Sequence, residues 1–279
     1  MLRRLIHALC HATAAIVLVI APTLVRANDA TERKPVAEIL GRAVYADELV
    51  PARLVEMQQG KLPEKDYAAW LERAPGEALR ARVWSAVFAD FARQRSIEPT
   101  AAEIESHIRN HRRMQAEGEV HRQQERERLT RELKSPDLSE PKRRQAQQYL
   151  DTLNKLNEYD AKFRQERRDP GRDKIWQAAE RRVAEHWVKG WKLNQALYRE
   201  FGGRIIFQQA GWEPIDAYRQ LLDQYAARKA FVVHDAKLRE AVYSYFKHNF
   251  VYADEAKAKF YFEKPYWERT PAEIKAAGL

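Results

Sequence analysis

Apolar side chains recur every fourth residue at Leu79, Val83, Val87 and Phe91, and Trp84 and Phe88 follow one position later. Residues three and four apart share one face of an α-helix, so this spacing predicts a helix with a broad, well-buried stripe. The same rhythm returns in Tyr149, Leu150, Leu153, Leu156, Tyr159 and Phe163, and in Ile175, Trp176, Val183, Trp187, Trp191 and Tyr198. Shorter stretches carry it at Tyr218, Leu221, Leu222 and Tyr225 and at Leu238, Val242, Tyr245 and Phe246. The expected fold class is therefore all-α. One exception stands near the start, where Ile39-Leu40 and Ala43-Val44-Tyr45 flank Gly41. Glycine reaches positive φ without steric cost, so residues 36–45 read as a small β-hairpin or an extended turn.

Punctuation residues set the expected boundaries. Asp47 is placed to cap a helix running to about Glu56. Glu64 to Arg73 reads as a short helix, broken or restarted at Pro75-Gly76. The stripe helix ends at Ser96 to Pro99, and Thr100-Ala101-Ala102-Glu103 has the form of a capping box. From Arg109 to Lys134 the composition turns to Arg, Glu, Gln and His, which predicts one long, thinly packed helix. A break at Ser135-Pro136 and a second helix from Lys142 to about Arg168 would complete an antiparallel hairpin of coiled-coil character. At ~1.5 Å per residue over about 26 residues, such an arm would reach roughly 40 Å. Asp173 to Glu200 is the most aromatic helix, stopped by Gly202-Gly203. Arg204 to Gln209 suits either a helix or a strand, and the tail after Pro265 reads as loosely attached.

The N-terminus has the three parts of a cleavable signal peptide: Arg3 and Arg4, an apolar run from Ala12 to Ala21, and Val25-Arg26-Ala27 before the cut. The apolar run is about half the ~20 residues of a spanning helix, so cleavage after Ala27 is expected rather than anchoring, with no stable membrane insertion afterwards. The one cysteine, Cys10, lies inside that signal. An exported chain without disulfides fits a periplasm and must be held together by its core. The formal charge of +9 falls to +6 when Arg3, Arg4 and Arg26 leave with the signal. Exported and only mildly basic, the chain is not expected to bind nucleic acid.

A search for catalytic chemistry returns no candidate. There is no His-Glu-x-x-His, no Gly-x-Ser-x-Gly and no phosphate loop, since Gly202-Gly203 is not followed by Lys-Ser/Thr. Glu103, His107 and His111 share one helix face and could in principle hold a divalent metal, but a solvated face of a charged helix explains them better. No metal, cofactor or catalytic residue is expected. The aromatic residues are the standing feature. Most are expected to fill the core, and a minority left exposed would form an apolar groove for polypeptide.

Two stretches resemble the N-terminal part of periplasmic SurA-type chaperones and their parvulin-associated relatives. The first is Ile39-Leu40-Gly41-Arg42-Ala43-Val44-Tyr45-Ala46-Asp47-Glu48-Leu49, similar to the family's opening Val-Asn-Gly-x-x-Ile-Thr-x-x-Glu-Leu, with Leu40 where the family has Asn. The second is the Leu79 stripe followed by Ile97, Glu98, Pro99, Thr100, Glu103 and Ile104. The resemblance implies a SurA-like helical core with a small N-terminal β-hairpin, to which a C-terminal helical part returns. A parvulin isomerase domain would need a four-stranded sheet and a histidine-containing site, and the charged helical stretch 109–170 offers neither. The expected order is a signal peptide at 1–27, a disordered leader at 28–35, a SurA-like helical part at 36–108, the charged hairpin at 109–168 and the returning helical part at 169–279. The expected function is ATP-independent, chaperone-like binding of unfolded or exported proteins in the periplasm, without isomerase activity. Candidate contacts are Trp84, Phe88, Trp187, Trp191, Phe207 and Trp212. Two alternatives stay open: a dedicated envelope assembly or adaptor protein with one partner, and a degenerate isomerase or metal-dependent enzyme. The oligomeric state is not readable from the sequence.

Overall fold

A computed structural model describes residues 33–208 and 211–278. The expected signal and most of the leader lie outside the described residues. Helices dominate, with a few short antiparallel strands, and the chain divides into two compact units. Among the described residues, the first unit holds those up to Arg95 together with those from Leu197 to Ala258, and the second holds those from Ser96 to Ala196 and from Lys259 onward.

In the first unit, β1 (Ala37–Ile39) and β2 (Arg42–Val44) form the expected hairpin, with Ile39 opposite Arg42. The two-residue turn places Leu40 at φ 49° and Gly41 at φ 77°, the left-handed pair whose twist suits adjacent strands. A strand the sequence did not announce, β5 (Phe231–Val233), pairs with the other edge of β1. The helix expected from Asp47 to Glu56 is split into α1 (Ala46–Leu49) and α2 (Ala52–Gln59). Pro51 holds the preceding Val50 in an extended conformation, which ends α1.

The two helices expected on either side of Pro75 are one helix, α3 (Glu64–Gln94). Proline removes one helical N–H but does not end the helix here. The turn around it is held by packing, because Ala74 and Gly76 are buried and Gly76 lies against α8 (Ala236–Tyr243). A Cβ added at Gly76 would stand 2.7 Å from the Cβ of Ala241. Leu79, Val83, Val87 and Phe91 are fully buried, as their spacing predicts. At the end of the helix, the buried Asp90 accepts hydrogen bonds from the Tyr225 hydroxyl (2.8 Å), Gln94 Nε2 (2.6 Å) and Arg93. Burial pushes the Asp90 pKa up, but the bonds from Arg93 and Tyr225 and the charges of Arg93 and Arg228 outweigh it and hold the carboxylate below its ordinary range. Tyr225 belongs to α7 (Ile215–Ala227), so this node ties α7 to α3. The ambiguous stretch after Gly203 is extended: β3 (Ile206–Gln208) pairs with β4 (Gly211–Glu213).

The second unit is organised by α4 (Ala101–Leu133), whose start carries the full capping box between Thr100 and Glu103. Its distal half pairs with α5 (Glu140–Glu166) as an antiparallel hairpin. Arg164–Glu119 (3.1 Å), Arg122–Asp160 (2.6 Å) and Arg126–Asn154 (2.9 Å) run along it, over a small core of Leu129, Ala146 and Leu153. Arg143 closes the turn by donating to the carbonyl of Leu133 (2.6 Å). The paired length from Glu119 to Leu133 is therefore roughly 20 Å at ~1.5 Å per residue, shorter than the arm expected from composition. The proximal half of α4 packs instead against α6 (Pro170–Phe201), through Ile104, Ile108 and Ala184 and the ion pairs Arg112–Glu180 (2.5 Å) and Arg181–Glu105 (2.7 Å).

The tail is docked, contrary to the loose attachment expected. After α9 (Glu255–Glu263), Trp267 and Arg269 are buried, and α10 (Pro271–Ala276) starts with a second capping box, Thr270 with Glu273. The Arg269 guanidinium lies 3.5 Å over the Phe260 ring and donates to the carbonyls of Phe260 and Lys264.

Candidate polypeptide-binding surfaces

The six aromatic residues singled out by sequence separate into core and surface. Trp84 and Phe88 are half-buried, packed within the first unit. The Trp84 indole donates to the carbonyl of Val242 (3.1 Å), stacks on Phe246 (5.3 Å between centroids) and meets Tyr245 and Tyr218 edge-on. Phe88 packs on Tyr218 at 4.9 Å. These two hold α3, α7 and α8 together and are engaged by their own unit. Trp191 and Trp212 are buried, each 8 % exposed. Trp187, at 38 %, and Phe207, at 57 %, reach solvent.

Phe207 lies on the β3–β4 hairpin, directly opposite Trp212, with ring centroids 5.4 Å apart. Alternation along β3 sends Ile206 into the core and Phe207 outward. Ile206 also bridges antiparallel to Tyr252, and that register sets Val251 beside Phe207. Trp212, Phe207 and Val251 therefore form one row across three extended segments, with Val251 91 % exposed at its end. Tyr252 on the opposite face is covered by Arg204, whose guanidinium sits 4.3 Å over the ring and pairs with Asp216 (2.9 Å). Sequence reasoning missed Val251, since one valine between Phe250 and Tyr252 carries no periodic signal.

Trp187 lies on α6 in the second unit, eleven and four residues along the helix from Trp176 and Val183. At 3.6 residues per turn, Trp176, Val183 and Trp187 share one face, and all three are exposed. Phe163 of α5 meets Trp176 edge-on at 4.9 Å and extends the stripe, with Arg167 over its ring. The buried positions Ala184, Val188 and Trp191 point to the neighbouring sector of the same helix. The apolar arc of α6 is thus wider than its partners cover. Charged pairs border it: Arg112 holds the Glu180 pKa below the ordinary carboxylate range, and Arg167 does the same for Asp173.

Trp191 sits in a separate aromatic cluster, packed edge-on against Trp267 at 5.4 Å, and His107 meets the same Trp267 edge-on at 5.3 Å. The His107 Nε2 and the Tyr266 hydroxyl are 2.9 Å apart. Burial, reinforced by the charge of His111, pushes the His107 pKa down to about 4. Glu103 is engaged by Thr100 and Lys192. Glu103, His107 and His111 therefore do not converge, and among the described residues no group of three His, Cys, Asp or Glu side chains is arranged to hold a metal ion. Two open grooves between α4 and α5, of about 460 and 350 Å³, are lined mainly by charged and amide side chains such as Arg126, Gln123 and Asn154.

Among the described residues no helix is long and apolar enough to cross a membrane. These features define a mostly helical two-unit protein with an aromatic surface on each unit. Comparison with known protein families, with curated proteins and with solved structures finds no match to the chain.

Proposed function

We propose that the protein is a periplasmic, ATP-independent, chaperone-like factor that binds unfolded or extended polypeptide without prolyl isomerase activity. The observation that carries this reading is the α6 stripe of Trp176, Val183 and Trp187, left exposed beside a face of the same helix that is fully packed. Large apolar side chains lined up in water serve to bind apolar segments of other chains, and their charged border keeps the loaded protein soluble. The row of Phe207 and Val251 supplies a second surface of the same kind. The sequence resemblance to SurA-type chaperones points the same way, and the signal-peptide pattern supports an activity outside the cytoplasm.

The test is suppression of aggregation of a reduced or heat-denatured model protein by residues 28–279, without ATP. Suppression near stoichiometric amounts across unrelated clients is expected. Trp187→Ala and Phe207→Ala should each weaken client binding about five- to tenfold, as loss of an exposed aromatic anchor does, with helicity unchanged. Absence of suppression at several-fold excess of folded protein would overturn the reading.

A further inference from the structure

The cluster around Trp191 is filled by Trp267, from the segment that follows α9. Trp267 packs edge-on against both His107 of α4 and Trp191 of α6, in one buried cluster with Val188. The preceding Tyr266 reaches the His107 Nε2 at 2.9 Å. Both residues lie on a single short turn between Pro265 and Arg269, near the end of the chain. Three buried polar atoms in this one cluster have no hydrogen-bond partner among the described residues: His107 Nδ1, Trp191 Nε1 and Trp267 Nε1. Buried donors left unpaired destabilise the packing that buries them. Most aromatic contacts elsewhere in the molecule carry no such defect; the Trp84 indole, for one, is paired to a backbone carbonyl. The seat is thus well shaped for an indole and poorly matched in hydrogen bonding, as expected of a contact meant to be exchanged. It also adjoins the open stripe, since Trp187 is one turn along α6 from Trp191.

We propose that the segment from Lys259 to the C-terminus is a displaceable strap, occupying in cis an aromatic socket formed by His107, Val188 and Trp191. When the strap leaves, the socket joins Trp187, Val183 and Trp176 in one continuous apolar track. An incoming polypeptide segment takes the place of Trp267, and its backbone carbonyls can accept from the indole N–H that the strap leaves unpaired. The client-gating role rests on the polypeptide-binding reading above; the exchange of the strap itself does not.

The experiment uses the full chain with Trp267→Ala and a dye-labelled synthetic peptide of residues 259–278. The peptide should bind the variant and be excluded by the unsubstituted protein, as read by fluorescence anisotropy. Affinity for dye-labelled, reduced and alkylated ribonuclease A should rise about tenfold in the variant, the factor expected if the strap fills the socket nine-tenths of the time, and the peptide should reverse the rise. Failure of the peptide to bind a folded variant overturns the strap. Peptide binding with unchanged client affinity overturns the gating role alone. If neither protein binds the client while the peptide binds the variant, the strap stands and the chaperone reading falls. Tyr266→Phe keeps the ring and loses only the bond to His107. It should give a smaller rise in both affinities, and it decides the matter if Trp267→Ala does not fold.

Discussion

Single residues show where this chain is under strain. Leu40 occupies the first position of a turn that needs positive φ, a conformation costing an ordinary L-residue roughly 1–2 kcal/mol and asparagine less. Leu40→Asn should stabilise the protein by about 0.5–1 kcal/mol, measured by urea unfolding, because the side chain is exposed and loses no core contact. His107 is the second case. Its folded pKa of about 4 lies below its ordinary value of 6.5, so the unfolded chain takes up the proton first as pH falls. Stability should therefore decline from about pH 6.5 to about pH 4, by about 3 kcal/mol in all, and be flat in this respect above that window. His107→Gln should reduce the slope of stability against pH there; an unchanged slope would show that His107 is not buried in neutral form.

At the scale of elements, the α3–α8 contact sets what the first unit tolerates. The helices approach at Gly76 and Ala241 so closely that a methyl group has no room. Gly76→Ala gains helix propensity but must push α8 away, and a net destabilisation of about 1–3 kcal/mol is expected from thermal or urea unfolding. A neutral result would mean that α8 is free to shift. The α4–α5 hairpin is held differently, by exposed ion pairs over a core of three buried residues, each pair contributing little alone.

Across the whole molecule, most helices were legible because a four-residue apolar rhythm has one structural meaning, though the break at Pro51 and the continuity through Pro75 were not, and the Thr100 capping box and the Gly41 hairpin were legible for similar local reasons. The three-residue strand Phe231–Val233 was not, since so short a run has no period and its partner β1 is far away in sequence. Nor could the sequence sort Trp187 and Phe207 from Trp84, Trp191 and Trp212. An aromatic residue on a helical stripe looks the same whether another element covers it or solvent does. The docking of Trp267 was hidden for a related reason: Pro265 to Arg269 has no periodicity, and its seat is built from α4 and α6.

The chain passes between its two units at Arg95, at Ala196 and at Ala258, so each unit is assembled from separated stretches of sequence. Ala37 cannot find Val233 until the long stretch between them has been made. As the chain emerges N-terminus first, from a ribosome or from a translocation channel, neither unit can close early, and slow, long-range pairing replaces stepwise folding. Such wiring keeps a nascent chain threadable until the stretches after Ala196 and Ala258 return to the units begun before them.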